Sequence, residues 1–340
     1  MDSLSQIALG AAVGMATMGR RTAPWKAALW GAVAGTLPDL DVLIDHGDPI
    51  RDMVLHRAES HAPFWQTLFS LPFALLVARL HGEQDRWRRW WLALWLALVT
   101  HPLLDAMTVY GTQLGLPFTR HPFGVGSVFI IDPLYTLPLL AGGLWLLRRN
   151  GRGLRGALGH RANLAGLVLS TAYLAWGVVA QAQVEGVARR SLAAQGIVAE
   201  RLLVTPTAFN SVLWRVVAID GPSFHEGFRS LLDDGATMHF DRFERRPELA
   251  AELAASDGLQ RLQAFSHGFW AMWEQGGRVG VVDLRMGQEP HYVFRFALAT
   301  RHSAPVPLPR PEQIGSRPDL RQGLHWLWRR ALGEPLPPPR

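Results

Sequence analysis

The chain contains no cysteine. Disulfides and thiolate metal sites are therefore excluded, and any metal must be held by nitrogen and oxygen donors. Charge is scarce too: Asp, Glu, Lys and Arg make up 18% of the 340 residues and apolar residues 49%, a balance too apolar for an ordinary soluble protein of this length. Residues 1–18 lack the basic start and small-residue cleavage site of a removable signal peptide, so they are read as a retained first helix. A basic stripe interleaved with aromatics is also missing. The net charge of +6 thus does not point to nucleic acid; the arginines of the first half sit in short loops, where membrane orientation signals lie.

What is present divides in two. From Leu4 to about Gln183, apolar stretches alternate with short basic loops, whereas from Val184 onward charges recur every few residues and no apolar run reaches membrane-spanning length. Six apolar segments can be drawn, at about 4–19, 27–44, 64–80, 90–107, 132–147 and 163–183. Several are near the short limit for a span and carry Gly, Pro, Asp or His, as buried helices of a soluble all-α domain also would. Loop charge favours the membrane. Loops after the first, third and fifth segments hold twelve cations (Arg20, Arg21, Lys26; Arg79, Arg86, Arg88, Arg89; Arg148, Arg149, Arg152, Arg155, Arg161), and those after the second and fourth hold three, Arg51, Arg57 and Arg120. Since Lys and Arg concentrate on the cytoplasmic side, the N-terminus and everything after the sixth segment are expected outside. Trp25, Trp87, Trp90, Trp91 and Trp145 fall at segment ends, where interfacial aromatics lie.

The expected fold is an all-α polytopic membrane domain of about six helices over residues 1–183, followed by a small extracytoplasmic α+β domain over 184–304. Residues 213–219, 279–284 and 292–298 alternate as strands do, and 247–255 and 260–273 look helical. Residues 305–340 form a proline-rich tail with a short helix, expected to be extended or partly disordered.

The polar residues of the apolar half gather on one side of this topology. Asp39 and Asp41, in GTLPDLD, lie at the outer end of the second segment, where Pro38 interrupts helical hydrogen bonding. His56 and His61, in HRAESH, occupy the next outer loop. His101 and Asp105, in THPLLD, share one face of the fourth segment near its outer end. Asp132 opens the fifth segment, and Asp2 and Gln6 lie at the outer end of the first. Taken singly, each string has an ordinary reading: PDLD a capped turn, HRAESH loop polarity, HPLLD a helical hydrogen bond, His81 and His121 solitary histidines. Their convergence on one face favours ligands, because ionisable groups at membrane depth are costly and usually line a cavity, pair or bind something. Carboxylates with imidazoles suit Zn²⁺ or Mn²⁺. Six candidate ligands, Asp39, Asp41, His56, His61, His101 and Asp105, exceed the needs of one catalytic ion, so two are plausible. His225, His239, His267, His291, His302 and His325 show no ligand spacing and are read as structural.

Together MDSLSQIALGAAVG, LWGAVAGTLPDLDVL, HRAESH, THPLLDAMTVYGTQL and FIIDPLYTLPLL resemble the YdjM-like membrane-bound metal-dependent hydrolases over roughly residues 1–150. The resemblance implies an inner-membrane protein, and through a likeness to zinc-dependent phospholipase C and its related nuclease it implies phosphoester hydrolysis. The family's PDxD corresponds to Asp39 and Asp41, its HRxxSH to His56 and His61, and its HxxxD to His101 and Asp105. Gln6 departs from the pattern, standing where many members have His, and Ala58, Glu59 and Ser60 replace the usual residues between Arg57 and His61.

The expected function is a membrane-embedded hydrolase in which metal-activated water attacks a phosphoester or another polarised ester. Arg57 would clamp an anion and Asp132 would orient a ligand. The partners expected are membrane lipids and a small-molecule or lipid-derived substrate, with Zn²⁺ ahead of Mn²⁺ as cofactor. A transporter or proton relay is the alternative, though it would need ionisable groups at several depths. A non-catalytic membrane protein with a partner-binding soluble domain is the third reading.

Overall fold

The computed structural model describes residues 1–149, 154–301, 303–316 and 319–340. Arg152 and His302 lie outside the described residues, as does the Arg155 side chain. The helices in chain order are α1 (Ser3–Met18), α2 (Pro24–Thr36), α3 (Pro49–Leu55), α4 (Pro63–Leu80), α5 (Trp87–Ala106), α6 (Pro133–Arg148), α7 (Leu154–Ala194), α8 (Pro247–Glu252), α9 (Asp257–Phe265) and α10 (Leu320–Ala331). The chain divides into two compact units, one of residues Met1–Ile44 and His56–Gly177, the other of Asp45–Leu55 and Val178–Arg340.

The first unit is helical. Asp2 caps α1 by accepting from the amides of Leu4 and Ser5, and proline opens α2, α4 and α6, where its missing amide costs nothing. Its core is built from Met15, Met18, Phe73, Val77, Trp90, Leu94, Leu98 and Leu146. α1 and α2 meet through glycines: a Cβ on Gly10 would stand 2.2 Å from the Gly31 carbonyl oxygen, and one on Gly35 would stand 2.6 Å from that of Gln6. Small residues four apart on both helices permit this approach. Trp90, expected at an interface, is instead fully buried and donates its indole N–H to Glu83 Oε2 at 3.0 Å.

Each of the six apolar segments contains a helix, the second ending at Thr36 rather than running to residue 44, but among the described residues only two helices are long and apolar enough to cross a membrane, Pro63–Leu80 and Gly156–Ala194. The expectation of about six spans is not met by this measure. α1 and α6 have 16 residues each, about 24 Å of helix against about 30 Å of hydrocarbon. α5 is long enough, yet it mixes Arg88, Arg89, His101 and Asp105 into its apolar run.

The second unit is sheet-rich. Strands β1 (Arg201–Pro206), β2 (Leu213–Asp220), β3 (Ser223–Ser230) and β4 (Asp241–Glu244) form an antiparallel sheet in sequence order. Strands β5 (Trp270–Gln275), β6 (Arg278–Asp283), β9 (Arg295–Arg301) and β10 (Pro305–Gln313) form another, in the order β10-β9-β6-β5, while β7 (Gly287–Gln288) and β8 (His291–Tyr292) pair in a small hairpin. Val184, Ala188 and Leu192 of α7 pack with Val204, Trp214 and Val216 of the first sheet, so the helix runs on past residue 183, where the soluble domain was expected to begin. The expected helix over 260–273 ends at Phe265. His267 and Gly268 take positive φ, and Trp270–Gln275 turns back as a strand against β6. The proline-rich stretch from Pro305 forms β10, an edge position that tolerates residues without an amide proton. Within this unit α3 is anchored by Ile50, fully buried, and by Arg51, which lies 3.1 Å from Asp257 at the start of α9.

Candidate metal centre

α2 gives way to a tight 3-10 turn, Leu37–Leu43, with Pro38 at its start. A proline cannot supply the amide that would continue the helical ladder, and the tightened turn projects Asp39 inward. His61 closes a second short turn, Glu59–His61, before Pro63 opens α4. His101 and Asp105 stand one helical turn apart on α5.

These four residues converge. One donor atom from each of Asp39, His61, His101 and Asp105 lies within 4.8 Å of every other, the only group of three or more such ligands among the described residues. His61 Nε2 is 3.0 Å from His101 Nε2, 3.4 Å from Asp39 Oδ1 and 3.3 Å from Asp105 Oδ2. His101 Nε2 is 3.4 Å from Asp39 Oδ1 and 3.5 Å from Asp105 Oδ2. Zinc bonds of about 2.0–2.1 Å would hold tetrahedral donors about 3.3 Å apart, so most of these spacings are those of a ready coordination shell. His61, His101 and Asp105 are fully buried, while the Asp39 side chain is 22% exposed and marks the open side.

The surroundings fit a cation. Asp105 Oδ2 is buried and meets the Arg57 guanidinium at 3.2 Å, whereas Gln6 Oε1 is buried without a donor; a buried acceptor left so is costly unless a donor or a cation meets it. His101 Nδ1 donates to the Gly35 carbonyl at 2.7 Å, leaving the Nε2 lone pair to face the centre. His61 Nδ1 lies 2.8 Å from Ser60 Oγ, which donates to Asp41 Oδ2 at 2.6 Å. Both rings are thus fixed from behind, as metal-ligating histidines are. Burial works against charge on His61, but the carboxylates of Asp105, Asp39 and Asp41 outweigh it and raise its pKa to about 9.

The remaining expected site residues are placed differently. Asp41 sits behind His61 rather than among the four, and holds His56 Nδ1 at 2.8 Å and the Arg57 amide at 3.0 Å. His56 is outside the group and lies nearly perpendicular to the Tyr110 ring, with centroids 5.8 Å apart. Arg57 is buried, with Nε 3.2 Å from Asp105 Oδ2, Nη1 donating to Thr108 Oγ1 at 3.3 Å and its guanidinium over the Tyr110 ring. Its φ of +64° is a strained conformation, held by Asp41 on its amide and by the Gln113 amide on its carbonyl. The Met1 ammonium also rests on Asp105. Asp132, expected to orient a ligand, instead caps α6 and accepts from Leu134 N and the Tyr173 hydroxyl. Glu59 is exposed and outside the group. Gln6 is fully buried and donates to Asp105 Oδ1 at 3.1 Å, so it touches the centre through a ligand.

Two contributors escaped sequence reasoning: Ser60, which links Asp41 to His61, and Gly35, whose carbonyl aligns His101. Ser60 lay inside the quoted HRAESH string. Gly35 carried a signal in the four-residue spacing Gly31–Gly35, matched by Gly10–Gly14 on α1.

Fold and site together define a helical protein with a buried carboxylate and imidazole centre able to hold a metal ion, joined to a small sheet-rich domain. Residues 1–184 match the family described as YdjM inner membrane protein, and the chain belongs to that family. Membership supports an inner-membrane location. The chain is also similar to a Bacillus subtilis (strain 168) protein designated "Uncharacterized protein YfhP", with 23% identity over 312 residues that cover 86% of this chain and 89% of the relative. No solved structure matches.

Proposed function

We propose that the chain is a membrane-embedded, metal-dependent hydrolase of a phosphoester or lipid-derived substrate at the outer face of the inner membrane. The observation that carries this reading is the convergence of Asp39, His61, His101 and Asp105 from three separated stretches of chain. A divalent cation, Zn²⁺ before Mn²⁺, would supply Lewis-acid polarisation of the ester and activation of water. Asp39, the exposed member of the four, faces the side from which substrate and water arrive. Arg57 neutralises Asp105 and offers the anion its remaining N–H groups. Asp41 and Ser60 hold the His61 ring in register.

The same reading has α1, α2, α4, α5, α6 and the N-terminal part of α7 crossing or entering the bilayer, the shorter ones with local thinning. Loop charge then puts the centre and the C-terminal domain outside the cytoplasm. Detergent-purified protein, assayed on phosphomonoester, phosphodiester and phospholipid substrates with and without a chelator, tests the activity. Chelator-sensitive release from one class is expected; no release from any class, by protein that carries metal, would overturn it.

A further inference from the structure

The turn that delivers Asp39 to the centre carries outward-facing side chains of the opposite character. Leu40 is 54% exposed, Val42 69% and Leu43 79%. Phe118, on the loop after α5, is 81% exposed. Exposed apolar residues scattered singly are ordinary, but the first three belong to the turn that carries Asp39, and Phe118 belongs to a loop that packs beside His61. The Phe118 loop is tied to the segment that carries His61: Gln113 N donates to the Arg57 carbonyl at 3.0 Å, and Leu116 packs with Ala58 and Ala62 on either side of His61.

Phe118 is also continuous with the surface of a candidate span. Phe118 meets Phe64 edge to face, with ring centroids 5.6 Å apart. Phe64 lies in the first turn of α4, one of the two candidate spans, whose Trp65, Leu68, Phe69 and Leu76 are exposed along its length. Exposed apolar side chains that continue from a candidate span onto the loop beside a charged centre have one ready occupant, the lipid that would surround that helix.

We infer that Leu40, Val42, Leu43 and Phe118 form a lip embedded in the outer leaflet, and that the centre takes a long-chain lipid phosphoester sideways from the bilayer rather than a dissolved ester from water. This rests on the hydrolase reading and names its substrate class. The acyl chains stay among the lip residues while the phosphate reaches the open side marked by Asp39, where the bound cation would meet it, and the Arg57 guanidinium.

The lack of native cysteine makes the test direct. Nitroxides are placed at Leu43→Cys and Phe118→Cys in vesicles of phosphatidylethanolamine and phosphatidylglycerol, with Glu248→Cys on the soluble domain as reference. Both lip labels should collide more with oxygen than with a water-soluble nickel chelate, and the reference label should show the reverse. Lip labels reached mainly by the chelate, or shielded from both probes as by a second copy or a protein partner, would overturn the lip. In the second arm, Leu43→Asp and Phe118→Asp should lower kcat/KM on long-chain phospholipid at least tenfold more than on the dihexanoyl lipid of the same headgroup. Equal losses on both would overturn sideways delivery. A wild type that carries metal yet cleaves neither lipid would overturn the hydrolase reading and the substrate class, and the label ratio would still decide the lip.

Discussion

His61 Nε2 and His101 Nε2 face each other at 3.0 Å from residues 40 positions apart. Neither ring is free to turn away, since Ser60 holds one Nδ1 and the Gly35 carbonyl holds the other. Two imidazole nitrogens so opposed must share either a proton or a cation. With two carboxylates beside them, a divalent cation satisfies all four donors at once.

Ligand and supporting roles should separate by degree. Asp105→Asn removes a buried anionic donor and should abolish detectable metal binding. Asp41→Asn disturbs only the support behind His61 and should weaken binding about 10–100-fold. Competition titration with a chromophoric chelator measures both, and equal effects would show that Asp41 is itself a ligand.

Metal and proton compete for His61. Its pKa of about 9 in the metal-free protein means that the ring is protonated at neutral pH and must lose that proton for Nε2 to coordinate. Apparent affinity should therefore rise about tenfold per pH unit between pH 7 and 9 and level off above, one proton being released per ion at this residue. An affinity flat across that window would place the ion elsewhere.

The contact of α1 with α2 leaves no room for a methyl group. Gly31→Ala would put one 2.2 Å from the Gly10 carbonyl oxygen, and the helices would have to part. A loss of about 1–3 kcal/mol is expected for such overpacking, together with weaker metal binding, because Gly35 on the same helix aligns His101. Thermal unfolding in detergent checks the first effect. Leu29→Ala, at an exposed position on α2, should leave both unchanged.

In the sheet-rich unit, Arg215 Nε donates to Glu226 Oε1 at 2.7 Å inside the fold. Glu226→Leu would strand a buried guanidinium at a cost of about 3–5 kcal/mol. Limited proteolysis of the full chain should then cut the second unit while sparing the wild type.

Much of this was legible in the sequence, for identifiable reasons. Apolar run length located all six long helices, and the Asp and His strings located the four converging residues. The difference between Asp39 and Asp41 was not legible, because two positions on a tight turn decide which carboxylate points inward. Strand β3 was hidden by its own chemistry: His225, Glu226 and Arg229 are all buried, which erases the alternation that marks a half-exposed strand. The placement of α3 with the second unit depends on Ile50 and on the Arg51–Asp257 pair, whose partners are 206 positions apart. No local pattern reports such a contact.

Elemental analysis of the detergent-purified protein tests most directly whether Asp39, His61, His101 and Asp105 hold a metal ion. Zn²⁺ or Mn²⁺ should be found in near-stoichiometric amount in the wild type and be lost in a folded His101→Ala variant. A wild type without metal after purification in metal-replete buffer, or a His101→Ala protein with unchanged metal content, would contradict that assignment.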